Sequence, residues 1–431
     1  MINAISDLLW YLFIPPIEAL GTVMGLNYFY PHLVNSSGDP TLPGAILGVI
    51  FMLMFFPFNY YGVKAFSNST NWFGGLKLVL YFLVALGFIS FGHFGNFSHF
   101  GGVLPFGMAG VFAAIPLGMF AFGSLRVIPD YTEEAKDPSV IMPSILWSLL
   151  GQSILYILFG VALLSALDWG TIHIAAGHWA DLSKIAGNPF LVMAAGSKAT
   201  WLIAIVVAIA IIGPFITGYI YQGAGSRILF AMGRSKIVSK RMVELSRNHG
   251  IPVKSLVVTT IIGIIVAFIA APLPSIYNLL SDAVVAGYIG FAANPPIMLA
   301  LRKEGRQGRF TSSSVSTIIA VLAFASASLI IYWCGWPSVP YASAIVLLLA
   351  LVFGMTGNVK KGLINSVWYI AYILFLSGMT YIGSEGAKNF VSVQIGSVIV
   401  VVVALVIFLP WGVASRMEEA KRPKFSPQLQ S

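Results

Sequence analysis

Twelve apolar runs dominate this sequence and leave it few ways to fold. They lie at approximately 8–30, 44–64, 72–92, 108–130, 141–167, 200–224, 254–271, 275–301, 314–335, 341–356, 362–382 and 391–412. A helix crossing about 30 Å of hydrocarbon needs about 20 mostly apolar residues. Within lipid, backbone N–H and C=O groups must find partners inside the protein, so segments of this kind become helices and bundle together. The chain has 431 residues, of which 58% are hydrophobic and only 9% charged. A soluble domain carries about 25% charged residues. The expectation is an all-α polytopic membrane protein of about 12 transmembrane helices. Connectors are brief and rich in Gly, Pro, Asn and Ser, with no room for a soluble domain. The longest, 168–199, holds Trp169, His173, His178 and Trp179 and reads as an amphipathic lid at the interface. Met1 to Asp7 lacks a basic stretch, so no cleavable signal peptide is expected.

The net charge of +9 does not point to nucleic acid, because the basic residues are spread over short loops between apolar runs. That distribution orients a membrane protein and touches anionic lipid. With residue 1 placed in the cytoplasm, twenty Lys and Arg fall in inner loops and adjoining helix ends. Only Lys184, Lys198 and Lys388 fall outside, and Arg126 lies within a span. This asymmetry places both termini in the cytoplasm, in a multi-pass protein of the plasma membrane. A lone Cys334 excludes internal disulfides and thiolate clusters. Five of the six histidines lie in predicted outer loops, with His249 in an inner one, and they show no ligand spacing. The sequons at Asn35, Asn68 and Asn96 are short matches expected by chance. No nucleotide loop, catalytic triad or metal cluster is visible, so neither an enzyme nor a cofactor is expected.

The fourth run carries the most specific signal. It is interrupted by Ala121-Phe122-Gly123-Ser124, bears a charge at Arg126, and ends on Glu133-Glu134-Ala135-Lys136-Asp137-Pro138. A broken helix with an ion at membrane depth is tolerated where its loose backbone faces protein or a water-filled site. Secondary transporters build midplane substrate sites from such breaks. The plainer alternative is a glycine kink with an arginine near the inner interface.

Three motifs then resemble one family. They are Tyr131-Thr132-Glu133-Glu134-Ala135-Lys136-Asp137-Pro138, then Gly225-Ser226-Arg227-Ile228-Leu229-Phe230-Ala231-Met232-Gly233-Arg234 with Gly250-Ile251-Pro252 beyond it, and Tyr61-Gly62-Val63-Lys64-Ala65-Phe66-Ser67 followed by Leu76-Lys77-Leu78. Together they are similar to the amino acid permeases of the amino acid–polyamine–organocation (APC) superfamily, over about residues 10 to 305. The resemblance implies an inverted-repeat, LeuT-like bundle. Its transporter core would be 1–305, equivalent to family helices 3–10, followed by four additional helices and a cytoplasmic tail in 306–431. In the family the first two motifs follow the sixth and eighth helices; here they follow the fourth and sixth spans. The first two transmembrane helices are therefore expected to be missing and the first repeat to be incomplete. A misplaced start codon or a truncated gene is the simplest account. The surplus helices at the other end suggest a 14-helix relative.

The resemblance implies secondary active transport of an amino acid or related amine by alternating access, coupled to protons. It assigns the carbonyls of Phe120, Ala121 and Gly123 to a substrate ammonium, and the Phe120 ring to a gate. A carbonyl cluster at a half-helix C-terminus attracts cations for the same physical reason. Gly123 and Ser124 suit an unwound turn. Phe122 belongs to the same break, though it and Phe120 suit packing equally, and Ser124 can bond back to its own helix. Arg126 departs from the family pattern and has three readings: contact with an anion, an ion pair with Glu18 or Asp282, or snorkelling.

Glu18 follows Pro15-Pro16, where a kink is expected because proline cannot donate an N–H. At that depth it is either a proton site or a partner for a cation. Lys77 matches the lysine that replaces sodium in proton-coupled members of the family. An ammonium in a desolvated pocket can exchange its proton during a cycle; the alternative is a lysine snorkelling to the inner interface. Gly213-Pro214 is expected to break the sixth span, with Thr217, Tyr221 and Gln222 facing the same cavity. Asn294-Pro295-Pro296 reads as a kink. The competing class is a truncated, non-transporting remnant or regulatory protein of the same family. The expected partners are substrate, protons and bilayer, with homo-oligomerisation left open.

Overall fold

All twelve predicted segments coincide with helix in the computed structural model, which describes residues 2–35, 38–100, 103–185, 188–197, 199–270, 276–304, 314–356, 366–384 and 386–421. Among these residues, nine stretches are long and apolar enough to cross a membrane. Three shorter apolar helices, Val253–Ile269, Ser338–Phe353 and Val367–Ile382, account for the other predicted segments. No β-strand forms among the described residues. The protein is a multi-pass, all-α membrane protein. Its lipid-facing character shows on the third span, where Leu76, Leu78, Val79, Leu83 and Leu86 are all exposed. In water so large an apolar face would drive aggregation.

The helices separate into two compact units. One comprises Tyr11–Ser235 and Ser239–Leu280. It contains most of α1 (Ile2–Leu26), then α2 (Leu42–Tyr60), α3 (Val63–Ser90), α4 (Gly107–Ala121), the short α5 (Val127–Asp130), α6 (Ile141–Ala166), α7 (Pro189–Gly196), α8 (Thr200–Arg234) and α9 (Val253–Ala270). The 35-residue α8 is its axis, packing against α2, α3 and α9. It outruns the predicted 200–224 because Gly225–Arg234 simply continues the helix. An aromatic cluster fixes α2 on α8: Tyr219 stacks on Phe58 at 4.7 Å, and Phe215 meets Phe51, Phe55 and Phe58 edge-on at 5.2–6.0 Å. Each such pair contributes about 0.5–1.5 kcal/mol beyond burial.

The break predicted at Gly213-Pro214 is absent, and the prolines of the first span, where a kink is expected, lie inside one continuous helix. Pro214 cannot donate to Ala210, the residue four before it, and neighbouring packing covers the exposed carbonyl. Gly25 of α1 lies against it so closely that a Cβ there would sit 2.5 Å from the oxygen, which only glycine permits. The segment 168–199 contributes a six-residue 3₁₀ helix, Trp179–Lys184, and α7. Its Trp169, Ile172, Met193 and Ala194 join Val84, Phe88, Leu202 and Val206 in a core cluster, so its apolar face is packed on the bundle.

The second unit comprises Met1–Trp10, Lys236–Val238 and Ser281–Ser431. It contains most of α10 (Ile276–Ala292), then α11 (Asn294–Lys303), α12 (Ser314–Trp333), α13 (Ser338–Thr356), α14 (Val367–Ile382), α15 (Val393–Val403) and α16 (Leu409–Lys421), the last two joined by a π-turn at Ala404–Phe408. The helix does break at Ala293, because Pro295 and Pro296 fit the first turn of a new helix and not the interior of an old one. Tyr372 of α14 stacks on Phe324 of α12 at 5.4 Å and hydrogen-bonds the Ser328 hydroxyl at 2.8 Å. The Trp333 indole donates to Ser397 of α15 at 2.9 Å.

Candidate functional site

The break in the fourth span is a 3₁₀ turn, Phe122–Arg126, between α4 and α5. Mid-helix 3₁₀ geometry marks hinges, and the Gly-Ser pair weakens the α form locally. Gly123 is buried but is not among the residues with positive φ, so its contribution is small size and not unusual dihedrals. Two side chains of α6, one helical turn apart, hold the turn. Gln152 Nε2 donates to Ser124 Oγ at 2.6 Å, and Tyr156 Oη donates to the Ala121 carbonyl at 2.7 Å. The Tyr156 ring also meets Phe122 edge-on at 5.0 Å. Ser124 is therefore tied across to α6, and Phe122 packs against protein.

Beside this turn lies a cavity of about 430 Å³ lined from α1 (Ile14, Glu18), α3 (Gly74, Lys77, Leu78, Tyr81), the α4 break (Phe120, Ala121, Ser124), α6 (Gln152, Leu155, Tyr156, Phe159) and α8 (Thr217, Tyr221). That size is usual for a small-molecule site. The structure thus brings Glu18, Lys77, Phe120, Ala121, Ser124, Thr217 and Tyr221 to one place. Phe122, Gly123 and Arg126 do not line it. Gln222 turns away, because its amide donates to Met52 O at 3.2 Å and Thr260 Oγ1 at 3.1 Å in a buried network with Asn59. Sequence reading missed Tyr81, Gln152 and Tyr156. The signal available was a lone amide in an apolar span, with a tyrosine one turn along the same face.

Lys77 Nζ donates to the Gly213 carbonyl at 3.1 Å and to Thr217 Oγ1 at 2.8 Å, and lies 5.6 Å from the Tyr81 ring centroid. Its ammonium is thus directed inward against α8 and neutral oxygens, which is not a snorkelling geometry. Glu18 and Lys77 act on each other electrostatically across the cavity. Arg126 closes the 3₁₀ turn. It sits within electrostatic reach of Tyr11 and Tyr221, and the Tyr11 hydroxyl donates to Asp130, one turn beyond Arg126. Asp282 belongs to the other unit, where it hydrogen-bonds Ser338.

Below the cavity the three sequence motifs meet. Arg227 Nε pairs with Glu134 Oε1 at 2.5 Å, and its Nη1 donates to the Gly223 carbonyl at 2.9 Å. The guanidinium lies 4.1 Å from the Tyr131 ring centroid and 5.8 Å from that of Phe66, and those two rings stack at 5.1 Å. Arg234 pairs with Glu133 at 2.9 Å. Gly223 permits this closeness: a Cβ there would stand 2.5 Å from Tyr131 Oη and 2.1 Å from Asn59 Oδ1. Two carboxylates in the connecting loops also have local partners. The Ser139 amide holds the Asp137 carboxyl below the usual range, and the Thr171 hydroxyl with the Gly170 amide does the same for Asp168.

Comparison with known proteins bears on the family of the chain. The amino acid permease family matches residues 3–326. The glutamate/serine transporter AimA of Bacillus subtilis is 26% identical over 424 residues, covering 93% of this chain and 76% of the relative. The aspartate-proton symporter of the same organism is 25% identical over 407 residues, covering 91% and 77%. The lysine-specific permease LysP of Escherichia coli is 24% identical over 270 residues, covering 57% and 54%. These proteins are transporters and not enzymes. The chain belongs to the amino acid permease family.

Proposed function

We propose that this chain moves an amino acid or related amine across the plasma membrane by alternating access, with protons as the coupling ion. The single observation that carries this reading is the cavity, where the broken fourth span faces Lys77 and Glu18. The Phe120 and Ala121 carbonyls are suited to a substrate ammonium, since half-helix C-termini favour cations. Phe120 serves as the ring over the bound molecule, and Thr217, Tyr221 and Ser124 supply hydroxyls. Arg126 acts through the turn it closes, and Phe122 and Gly123 shape it. Lys77, bonded only to neutral oxygens, is the proton carrier, and Glu18 is the group that senses its charge. All the lining residues fall between Ile14 and Tyr221, within the 1–305 core, and the four helices of 306–431 are additional to it. An aspartate-proton symporter among the relatives supports the coupling.

Proteoliposomes loaded with protein test the reading. An imposed inward proton gradient should drive accumulation of glutamate, aspartate or serine. Lys77→Ala should abolish that accumulation while retaining measurable substrate binding. A Lys77→Ala protein that still accumulates substrate, with an unchanged pH profile, removes Lys77 from the coupling.

Orientation is the second part of the proposal. The lysine and arginine bias places both termini in the cytoplasm. With Cys334 replaced, single cysteines in 168–199 should label from outside and those in 235–250 only from inside. The opposite sidedness would overturn the assignment.

A further inference from the structure

A second cavity lies in the same unit as the first, about two turns beyond Tyr81 along α3. It measures about 250 Å³. Phe88, Phe91, Ala166 and Met193 give it apolar walls, and His93, Asp168 and Thr171 add polar groups. None of these residues lines the cavity around Lys77. Pockets for drug-sized molecules measure about 300–1,000 Å³, so this one suits a smaller molecule. On the proposed orientation it lies toward the outer face.

Local structure places the two titratable groups. The His93 N–H donates to the Ser165 carbonyl at 2.6 Å, and Asn96 Nδ2 donates to the carbonyls of Leu164 and Leu167 at 2.9 and 2.8 Å. These bonds pin the turn after α3 to the end of α6. They leave the His93 ring exposed and without a hydrogen-bond partner among the described residues. Asp168, also exposed, follows α6 directly. Its Oδ1 accepts from the Gly170 N–H at 3.0 Å and its Oδ2 from the Thr171 hydroxyl at 2.8 Å. Gly196 lets α7 close on this turn, since a Cβ there would stand 2.1 Å from Thr171 Cγ2. A carboxylate has about four acceptor positions, so the turn leaves part of its capacity open. His93 and Asp168 act on each other electrostatically, yet among the described residues they form no ion pair.

We propose that this cavity is a second amino acid site, which takes a small apolar amino acid as its zwitterion. The ammonium rests on Asp168, the carboxylate accepts from the His93 ring, and the side chain lies against Phe88, Phe91, Ala166 and Met193. A simple cation would use Asp168 but leave the apolar walls without a partner. A simple carboxylate would meet the His93 ring but be repelled by Asp168. A zwitterion answers both groups and fills the walls with its side chain. The site shares no residue with the cavity around Lys77, so it stands or falls independently of proton coupling.

The test uses the full chain, purified in detergent and dialysed to equilibrium against radiolabelled L-alanine or L-valine. The binding that differs between the wild type and Asp168→Asn belongs to this cavity. Asparagine keeps an acceptor for the Gly170 N–H, so the turn survives while the charge goes. Asp168→Asn should weaken this component about tenfold, the loss of one charge-assisted hydrogen bond. His93→Phe should weaken it about fivefold, the loss of an ordinary one. Ethylamine and propionate, which each carry one end of alanine, should both compete far less well than alanine. Binding of both amino acids that is unchanged in Asp168→Asn and His93→Phe overturns the proposal, as does equal competition by either half-molecule. Zinc binding that needs His93 and Asp168, with no amino acid held there, would show a metal site instead. Ligand retained by Asp168→Asn belongs to the cavity around Lys77, so failure of one site is distinguishable from failure of the other. Should Asp168→Asn fail to fold, His93→Phe and the half-molecules decide the outcome alone.

Discussion

The two ends of the broken fourth span handle charge in opposite ways. At its foot, Glu134 and Glu133 meet Arg227 and Arg234, and the Arg227 guanidinium is further held by a carbonyl and two rings. At its break, the charges lining the cavity among the described residues are Glu18 and Lys77, and Lys77 is bonded to a carbonyl and a hydroxyl. A charge with a geometrically matched counter-ion is fixed in one state. A charge whose direct hydrogen bonds go to neutral groups, with its counter-charge not in contact, is held less firmly in one state. On the proposed transport reading, the foot holds helices in register and the cavity changes state. Substitutions at the foot should therefore cost stability first, and substitutions at the cavity should cost coupling first.

The largest effect is expected at Arg227. Its side chain is 13% exposed and that of Glu134 25%, so removing the guanidinium leaves a carboxylate with little water. Breaking one partner of such a pair costs about 3 kcal/mol, the low end of the usual range because Glu134 is partly open. Arg227→Gln should lower the detergent unfolding midpoint sharply, and Arg227→Lys should recover only part of the loss, since lysine lacks the planar fork that faces the Tyr131 ring while donating to both Glu134 and Gly223. In a double-mutant cycle, Glu134→Gln with Arg227→Gln should cost clearly less than the sum of the two single changes. Strict additivity would mean that the foot is not a coupled unit and would dissolve the contrast with the cavity.

Most of the foot was legible in the sequence, because its residues are contiguous motifs whose charges stand out in an apolar chain. What the motifs could not show is that Phe66, Tyr131 and Arg227 stack on one another, for that depends on how α3 and α8 pack. The cavity was less legible. Glu18, Lys77 and the 121–124 break are local anomalies and were found. Gln152 and Tyr156 were not, since a single amide and a tyrosine are ordinary in a span until the helix is placed beside the break. The continuity of α8 through Pro214 was misjudged for a related reason. The freed Ala210 carbonyl is covered by Gly25, a neighbour about 190 residues away in sequence. That helices lie at the apolar runs, by contrast, follows from length and hydropathy, although their ends do not: α3 starts before its predicted span and α8 runs past its own.

An intermediate effect is expected at Tyr156. Tyr156→Phe keeps the edge contact with Phe122 but removes the hydroxyl from the Ala121 carbonyl. The loss should be about 0.5–1.5 kcal/mol of stability, the net value of one hydrogen bond. If that carbonyl receives the substrate ammonium, the tyrosine hydroxyl competes with the ammonium for it. Removing it should then tighten amine binding while leaving Lys77-dependent coupling intact. A Tyr156→Phe protein that loses stability and shows weaker binding would instead make the hydroxyl part of the substrate's own contacts.

The smallest effect is expected at the outer edge of the foot, and it tests whether the contrast is about pairing or about burial. Arg234 and Glu133 have the same chemistry as Arg227 and Glu134 and a good 2.9 Å contact, but their side chains are 52% and 72% exposed. Exposed pairs contribute about 0–1 kcal/mol, and salt screens them. Arg234→Gln should therefore shift the unfolding midpoint only slightly, and the shift should vanish in high salt, whereas the Arg227→Gln deficit should persist. The Phe230 ring lies 5.7 Å from the Arg234 guanidinium carbon and adds an attraction of the weak, exposed kind. Equal deficits at 227 and 234 would mean that ion pairing alone sets the strength of the foot. Unequal deficits, with salt dependence only at 234, would assign the difference to desolvation by Tyr131 and Phe66.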